Sequence, residues 1–249
     1  MTVPEAIQHP ALRRYALRCL RLPLGSAVLP LALPDAGDWR RRGHWAAATE
    51  RGAEPPYWVQ VWPASVALAR LLWRFGQLTD RRVLDLGCGL GIPGIAAARL
   101  GASVTFADRE QDALHFAQWN ARRMSMAAAP PATQLVDWSR DVVAGRFDLV
   151  LLADVSYRAP HHAPLRRQLE HALAEQGCIV HADPMRAESG VFLTQLKKDF
   201  ATLETTRAAH FGGKRVDVRL VVAARERCDL AQWTGAIGPA SRGAHGEAS

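Results

Sequence analysis

Residues 83–94 read Val-Leu-Asp-Leu-Gly-Cys-Gly-Leu-Gly-Ile-Pro-Gly. A short apolar run ends near a carboxylate, Asp85, and passes at once into glycines at every second position, Gly87, Gly89 and Gly91. Glycine tolerates backbone conformations closed to other residues and lets main chain approach a ligand without an intervening Cβ. The proline at position 93 suits the first turn of a helix, because its missing N–H has no partner there anyway. A buried strand, a tight turn and a helix in immediate succession form the opening of a βαβ unit, and such units build mostly parallel sheets covered by helices.

The chain downstream repeats that alternation. Strands are expected over residues 82–86, 103–107, 133–136, 147–153 and 178–182, with helices over 93–100, 111–124, 164–174 and 191–198 between and after them. The alternation then stops: residues 203–208 and 216–223, joined by Phe211-Gly212-Gly213, read as a terminal antiparallel hairpin. Upstream, Pro63 opens a helix expected to run to Phe75. The expected fold is therefore α/β: a Rossmann-like, seven-stranded, mostly parallel sheet with helices on both faces and a C-terminal antiparallel hairpin. Residues 55–225 form this domain. Residues 1–54 precede it as an extension, with a helix over 4–20 and an irregular stretch over 30–56 rich in Pro, Gly, Arg and Ala. A Gly-, Ala-, Ser- and Arg-rich tail over 226–249 is expected to be disordered.

Composition narrows the function classes. At 249 residues the chain is long enough for a full α/β core, and no apolar run approaches the roughly 18 residues of a membrane span. The charged amino-terminal segment is not a signal peptide, and a cytoplasmic location is expected. The cysteines Cys19, Cys88, Cys178 and Cys228 form no C-x-x-C pair, so neither a disulfide framework nor a zinc cluster is indicated. Net charge is +7, yet the arginines are scattered in short groups and only three lysines occur, Lys197, Lys198 and Lys214. Nucleic-acid binding needs clustered cations, so an acidic protein surface is the preferred partner. The histidines share no metal-ligand spacing; His161-His162, beside prolines at a helix start, read as solvated, and no metal is expected.

The strand ends carry the chemistry. Asp85 with the glycine loop suits S-adenosylmethionine, the glycines admitting its methionine and ribose portions and Asp85 accepting from its ammonium or from ordered water. Gly89-x-Gly91-x-x-Gly94 also satisfies the dinucleotide fingerprint. A pyrophosphate at the helix N-terminus would, however, be repelled by an aspartate at the preceding strand end. Asp108, ending the second strand, is placed to take both ribose hydroxyls. Asp137 and Trp138, after the third strand, can accept from the adenine amino group and stack on its ring. The fourth strand delivers Asp154-Val155-Ser156-Tyr157 to the carboxyl edge, where ligands bind in open α/β folds.

Asp-x-x-Tyr at that position, together with the upstream Tyr57-Trp58-Val59-Gln60-Val61-Trp62-Pro63-Ala64-Ser65-x-x-Leu68-Ala69, resembles family 16 of the seven-stranded S-adenosylmethionine-dependent methyltransferases. That group includes the electron-transfer-flavoprotein β-subunit lysine methyltransferases and some members assigned to arginine or histidine. The resemblance covers residues 55–223. It implies an active-site role for Asp154 and Tyr157 and a place beside the cofactor for Trp62 and Asp154. Asp183-Pro184-Met185-Arg186 also resembles the flavoprotein-modifying enzymes, with Met185 in place of a glycine. The implied function is methyl transfer to a protein side-chain nitrogen, lysine favoured. A small-molecule N- or O-methyltransferase and a non-catalytic cofactor-binding protein are the rival readings.

Overall fold

The computed structural model describes residues 10, 12–52, 54–126, 129–211 and 213–238. Its first elements depart from the sequence reading. Strands β1 (Leu17–Leu24) and β2 (Ala27–Pro34) pair as an antiparallel hairpin about Gly25. Residues 17–20 of the expected 4–20 helix are thus strand, and residues 1–9 and 11 lie outside the described residues. The physical reason is period-two burial: Leu22, Leu24, Leu29, Leu31 and Leu33 all turn inward. The stretch expected to be irregular holds two short helices, α1 (Ala36–Arg41) and α2 (His44–Glu50). Asp35 caps α1, its carboxylate accepting from the Gly37 and Asp38 amides.

The remaining elements follow the expected order. They are α3 (Pro63–Phe75), β3 (Arg82–Leu86), α4 (Ile92–Arg99), β4 (Ser103–Asp108), α5 (Gln111–Arg122), β5 (Ala132–Leu135), β6 (Phe147–Ala153), α6 (Ala159–Ala172), β7 (Leu173–Asp183), α7 (Ala187–Asp199), β8 (Ala201–Phe211) and β9 (Lys214–Ala224). The seven-stranded sheet runs β5-β4-β3-β6-β7-β9-β8. Strands β5 to β7 in that order are parallel, and β9 and β8 close the edge antiparallel.

Both faces of the sheet are buried, which is why its strands read as continuous apolar runs. Val83, Phe106, Leu151 and Val180 face α3, α4, α5 and the β1–β2 hairpin. Leu84, Val150, Leu152 and Ile179 face α6 and α7 through Leu165, Leu169, Phe192 and Leu196. The hairpin is tied to α5 by one side chain: buried Asn120 accepts from the Ala32 amide at 3.0 Å and donates to the Ala32 carbonyl at 2.9 Å. It completes β2's hydrogen bonding where no strand is available.

The tail expected over 226–249 is ordered through residue 237. Helical turns α8 (Arg227–Leu230) and α9 (Thr234–Ile237) flank Trp233, which is fully buried and stacks on Phe75 with ring centroids 4.0 Å apart. Leu230, Trp233 and Ile237 supply apolar area that the composition of the segment conceals. Residues 239–249 lie outside the described residues. Among the described residues no helix is long and apolar enough to cross a membrane.

Candidate active site

The loops leaving β3, β4, β5 and β6 surround a cavity of about 280 Å³, bordered on its other side by residues 54–65. The glycine loop forms the floor. Gly87 and Cys88 both donate to the Ala107 carbonyl, at 2.8 and 3.1 Å, which pins the loop to the end of β4. Gly87 and Gly89 line the cavity. Gly87 sits at φ +66°, and a Cβ there would lie 2.7 Å from the Trp138 ring. Gly91 does not border the cavity; a Cβ on it would lie 2.5 Å from that of Ala117, so this glycine lets α4 approach α5.

Asp85 also lies away from the cavity. Its buried Oδ2 accepts from the Gly94 amide at 2.9 Å and so fastens the first turn of α4 beneath the loop. Burial, aided by nearby Asp108 and opposed by that hydrogen bond, pushes its pKa up to about 8. The carboxylate expected to accept from a cofactor ammonium or from ordered water beside it thus engages the Gly94 amide and does not border the cavity.

Asp108 does line the cavity. Its Oδ2 accepts from Gly89 N at 2.8 Å and its Oδ1 from Glu110 N at 3.0 Å. Each oxygen keeps lone-pair capacity for a hydroxyl donor. Burial raises its pKa despite both amide donors. Asp137 and Trp138 form the next wall. Asp137 Oδ1 accepts from Ser139 Oγ at 2.6 Å and Ser139 N at 3.0 Å, and these bonds hold its pKa below the usual carboxylate value. Trp138 lies over Gly87 and meets His161 edge-on at 5.8 Å.

Asp154, Tyr157 and Trp62 complete the lining. Asp154 stands at φ +56°, in the left-handed region that non-glycine residues occupy at a cost. Its amide donates to Ala182 at 2.8 Å, binding the turn after β6 to β7. Burial raises its pKa, and a two-point ion pair with Arg186 opposes the rise. Tyr157 is half-buried; burial, reinforced by Glu54, pushes its phenol up to about 12. The Trp62 indole donates to the Tyr57 carbonyl at 3.0 Å.

Several participants were given no role of their own in the sequence reading. Tyr57 stands edge-on to both Trp62 and Tyr157, at 5.9 and 6.0 Å. Glu54 ties three loops together through Arg109, Arg158 and His161. A glutamate ahead of two prolines offers no pattern that would reveal this. The pair His161-His162 is not solvated as expected: His161 lines the cavity against Tyr157 and Trp138, and His162 is buried with Nε2 3.0 Å from the Ser156 carbonyl. Helix α6 begins at Ala159, five residues before the expected start at Pro164, and this turns both rings inward.

Residues 50–199 match the model of a family described as lysine methyltransferase. The chain belongs to that family. It is similar to protein N-lysine methyltransferase METTL21A of Danio rerio, 31% identical over 198 residues that cover 76% of this chain and 82% of the relative. It is also similar to the electron transfer flavoprotein beta subunit lysine methyltransferase of Danio rerio, 34% identical over 136 residues covering 53% and 52% of the two chains. Among solved structures, the N-methyltransferase NodS of Bradyrhizobium japonicum in complex with S-adenosyl-L-homocysteine shares the fold, with a TM-score of 0.52 at 17% identity over 65% of this chain and 86% of that one.

This lysine methyltransferase family member is an enzyme that uses S-adenosylmethionine. The cavity fits such a cofactor. Its floor is backbone at Gly87 and Gly89, its walls offer the carboxylates of Asp108 and Asp137 as acceptors for hydroxyl and amino donors, and Trp138 supplies a flat apolar surface for a base.

Proposed function

We propose that this methyltransferase modifies the side-chain amine of a lysine in a protein substrate. The observation that carries the reading is the placement of Asp154 and Tyr157 together on the cavity wall, beside the glycine loop, in a chain whose relatives are named protein lysine methyltransferases. Of the described residues among 30–56, only Glu54 and Pro55 border the cavity. The others pack as β2, α1 and α2 and do not roof the site, which favours a protruding protein side chain over an enclosed metabolite.

In this reading Gly87 and Gly89 cradle the methionine and ribose portions, Asp108 takes the ribose hydroxyls, and Asp137 with Trp138 receives the adenine. Trp62 and Asp154 border the methyl-donating end. Asp85 and Gly91 act indirectly, the first by anchoring the loop through Gly94 and the second by seating α4. The catalytic domain comprises residues 55–225, with residues 12–52 laid against it. An acidic substrate surface suits the net charge of +7 and the part-exposed guanidinium groups of Arg109, which lines the cavity, and of Arg158, which pairs with the lining residue Glu54. A cytoplasmic location suits the free thiols of Cys19, Cys88 and Cys178.

When bound, S-adenosylmethionine supplies an electrophilic methyl group on a cationic sulfur. The protein's task is to align the acceptor nitrogen behind that methyl and to let it arrive uncharged. Freeing a lysine amine near neutral pH costs about 4 kcal/mol from a reference pKa of about 10.4. Tyr157 stays a neutral phenol, and its oxygen can accept an amine N–H so that the nitrogen lone pair faces the methyl. Asp154 orients the amine and passes its proton to water.

The test is to incubate the protein with methyl-labelled S-adenosylmethionine and an undermethylated extract of its source cells, then separate protein, nucleic-acid and small-molecule fractions. Label in a protein band that Asp154→Ala abolishes, with cofactor binding intact, supports the proposal. Label confined to small molecules, or an Asp154→Ala protein that methylates at full rate, refutes it.

A further inference from the structure

Asp154 is not the bare carboxylate that its place on the cavity wall suggests. Its Oδ1 accepts from Arg186 Nε at 2.8 Å and its Oδ2 from Arg186 Nη2 at 2.9 Å, a fork that engages both oxygens. The Arg186 amide in turn donates to Asp183 Oδ1 at 3.1 Å. Asp183 is fully buried and also accepts from Arg219 Nε and Nη2, at 3.0 and 3.1 Å. Both turns that bring the ion pair together are left-handed at a non-glycine residue, Asp154 at φ +56° and Met185 at φ +63°. The loops leaving β6 and β7 are thus shaped to present one guanidinium to one carboxylate.

The consequence lies in the charge an acceptor would meet. A bound sulfonium contributes one positive charge, and Asp154 with Arg186 sums to zero. Among the described residues, the other ionisable groups around this pair are already balanced or lie elsewhere. Asp183 is matched by Arg219, Glu54 by Arg109 and Arg158, and Glu110 by Arg109. Tyr157 is held as a neutral phenol, and His181, buried behind Asp183 and Ser156, is held neutral. His161 has its pKa lowered by burial, while Asp108 and Asp137 stand on the adenosine side. An amine entering beside Asp154 therefore experiences net positive surroundings, which disfavour its ammonium form. Without Arg186 that sum falls from one positive charge to zero, and an uncompensated carboxylate faces the amine.

We propose that Arg186 is a positioning residue for methyl transfer: by engaging both oxygens of Asp154 it cancels that carboxylate's charge, so that the acceptor lysine is held as a free amine instead of being trapped as an ammonium. The inference rests on the protein-lysine reading above. An unpaired carboxylate within about 4–6 Å raises an amine's pKa by about 1–3 units, so Arg186→Met should move the rising limb of the pH–rate profile to higher pH. Arg186→Lys keeps the charge and should lie near the wild type.

The experiment follows label transfer from methyl-labelled S-adenosylmethionine into the principal labelled protein band of an undermethylated extract, from pH 6.5 to 9.5, with S-adenosylhomocysteine binding measured by calorimetry for each variant. The expected result for Arg186→Met is a limb shifted up by about 1–2 units, a loss of about 10–100-fold at pH 7.5 that recovers toward pH 9.5, and unaltered S-adenosylhomocysteine affinity. A limb that coincides with the wild type, a rate lowered equally at every pH, or loss of S-adenosylhomocysteine binding overturns the proposal, the last two because they mark a merely structural role. Absence of any labelled protein with the wild type overturns the lysine reading itself and this inference with it.

Discussion

Replacing Gly87 by alanine separates backbone strain from the shaping of the cavity. The residue sits at φ +66°, and an added Cβ would stand 2.7 and 2.9 Å from two ring atoms of Trp138 and 2.8 Å from Val155 Cγ1. The left-handed conformation costs an alanine about 1–2 kcal/mol relative to glycine. Overpacking adds about 1–3 kcal/mol, because neither the indole nor the valine can yield without disturbing the wall behind it. Gly52 is the control: its φ is +65° and nothing lies within 4 Å of its would-be Cβ, so Gly52→Ala meets only the first cost. At about 2–4 °C per kcal/mol for a chain of this size, Gly87→Ala should melt about 4–20 °C below the wild type and Gly52→Ala about 2–8 °C below. Displacing Trp138 toward the cavity should also weaken S-adenosylhomocysteine binding about tenfold or more, whereas Gly52→Ala leaves it unchanged. Thermal denaturation and calorimetric titration check both. Equal melting temperatures and equal affinities for the two variants would refute the reasoning.

Trp138→Ala removes the flat wall proposed for the adenine, and loss of such stacking is worth about 1–3 kcal/mol, so S-adenosylhomocysteine affinity should fall about 5–150-fold in calorimetry with little change in melting temperature. Asn120→Ala strands the Ala32 amide and carbonyl in the interior; at about 1–3 kcal/mol for each orphaned group, denaturant titration should show a loss of several kcal/mol. His181 is fully buried, and burial drives its pKa down to about 4, with Asp183 only partly compensating. The folded chain therefore holds it neutral while the unfolded chain protonates it below about pH 6.5, so its contribution is intact above pH 6.5 and is lost as pH falls toward 4. Lowering pH from 7.5 to 5 should cost about 2 kcal/mol through this residue, and His181→Gln should flatten that part of the urea-midpoint profile.

The strands from β3 to β7 were legible because a parallel sheet buried on both faces writes itself as apolar runs ending in polar residues, as Phe147–Ala153 and the adjoining Asp154 show. The β1–β2 hairpin does carry a signal in the sequence. Leu20, Leu22 and Leu24, then Leu29, Leu31 and Leu33, alternate about Gly25, while Pro23 and Pro30 argue against strands. Those prolines are tolerated because each strand of a two-stranded sheet has an unpaired edge. The ordered turns around Trp233 are concealed by a small-residue composition, since a few buried side chains can hold such a segment.

At the site, Asp108, Trp138, Asp154 and Tyr157 could be placed from strand ends alone, because a parallel sheet gathers the loops leaving its strands at one edge. Asp85 and Gly91 could not be told from cavity residues by position. Whether a carboxylate points into a cleft or under a helix depends on rotamers and on packing against Gly94 and Ala117. The Asp154–Arg186 pair was likewise invisible, since it depends on two left-handed turns from separate loops.

The central claim is that the cavity directs a methyl group onto a protein lysine. Acid hydrolysis and amino-acid analysis of the principal protein band labelled by the wild-type chain test it most directly. Label in methylated lysine is the expected result. Label in methylarginine or methylhistidine, or label confined to small molecules with no labelled protein at all, would contradict it.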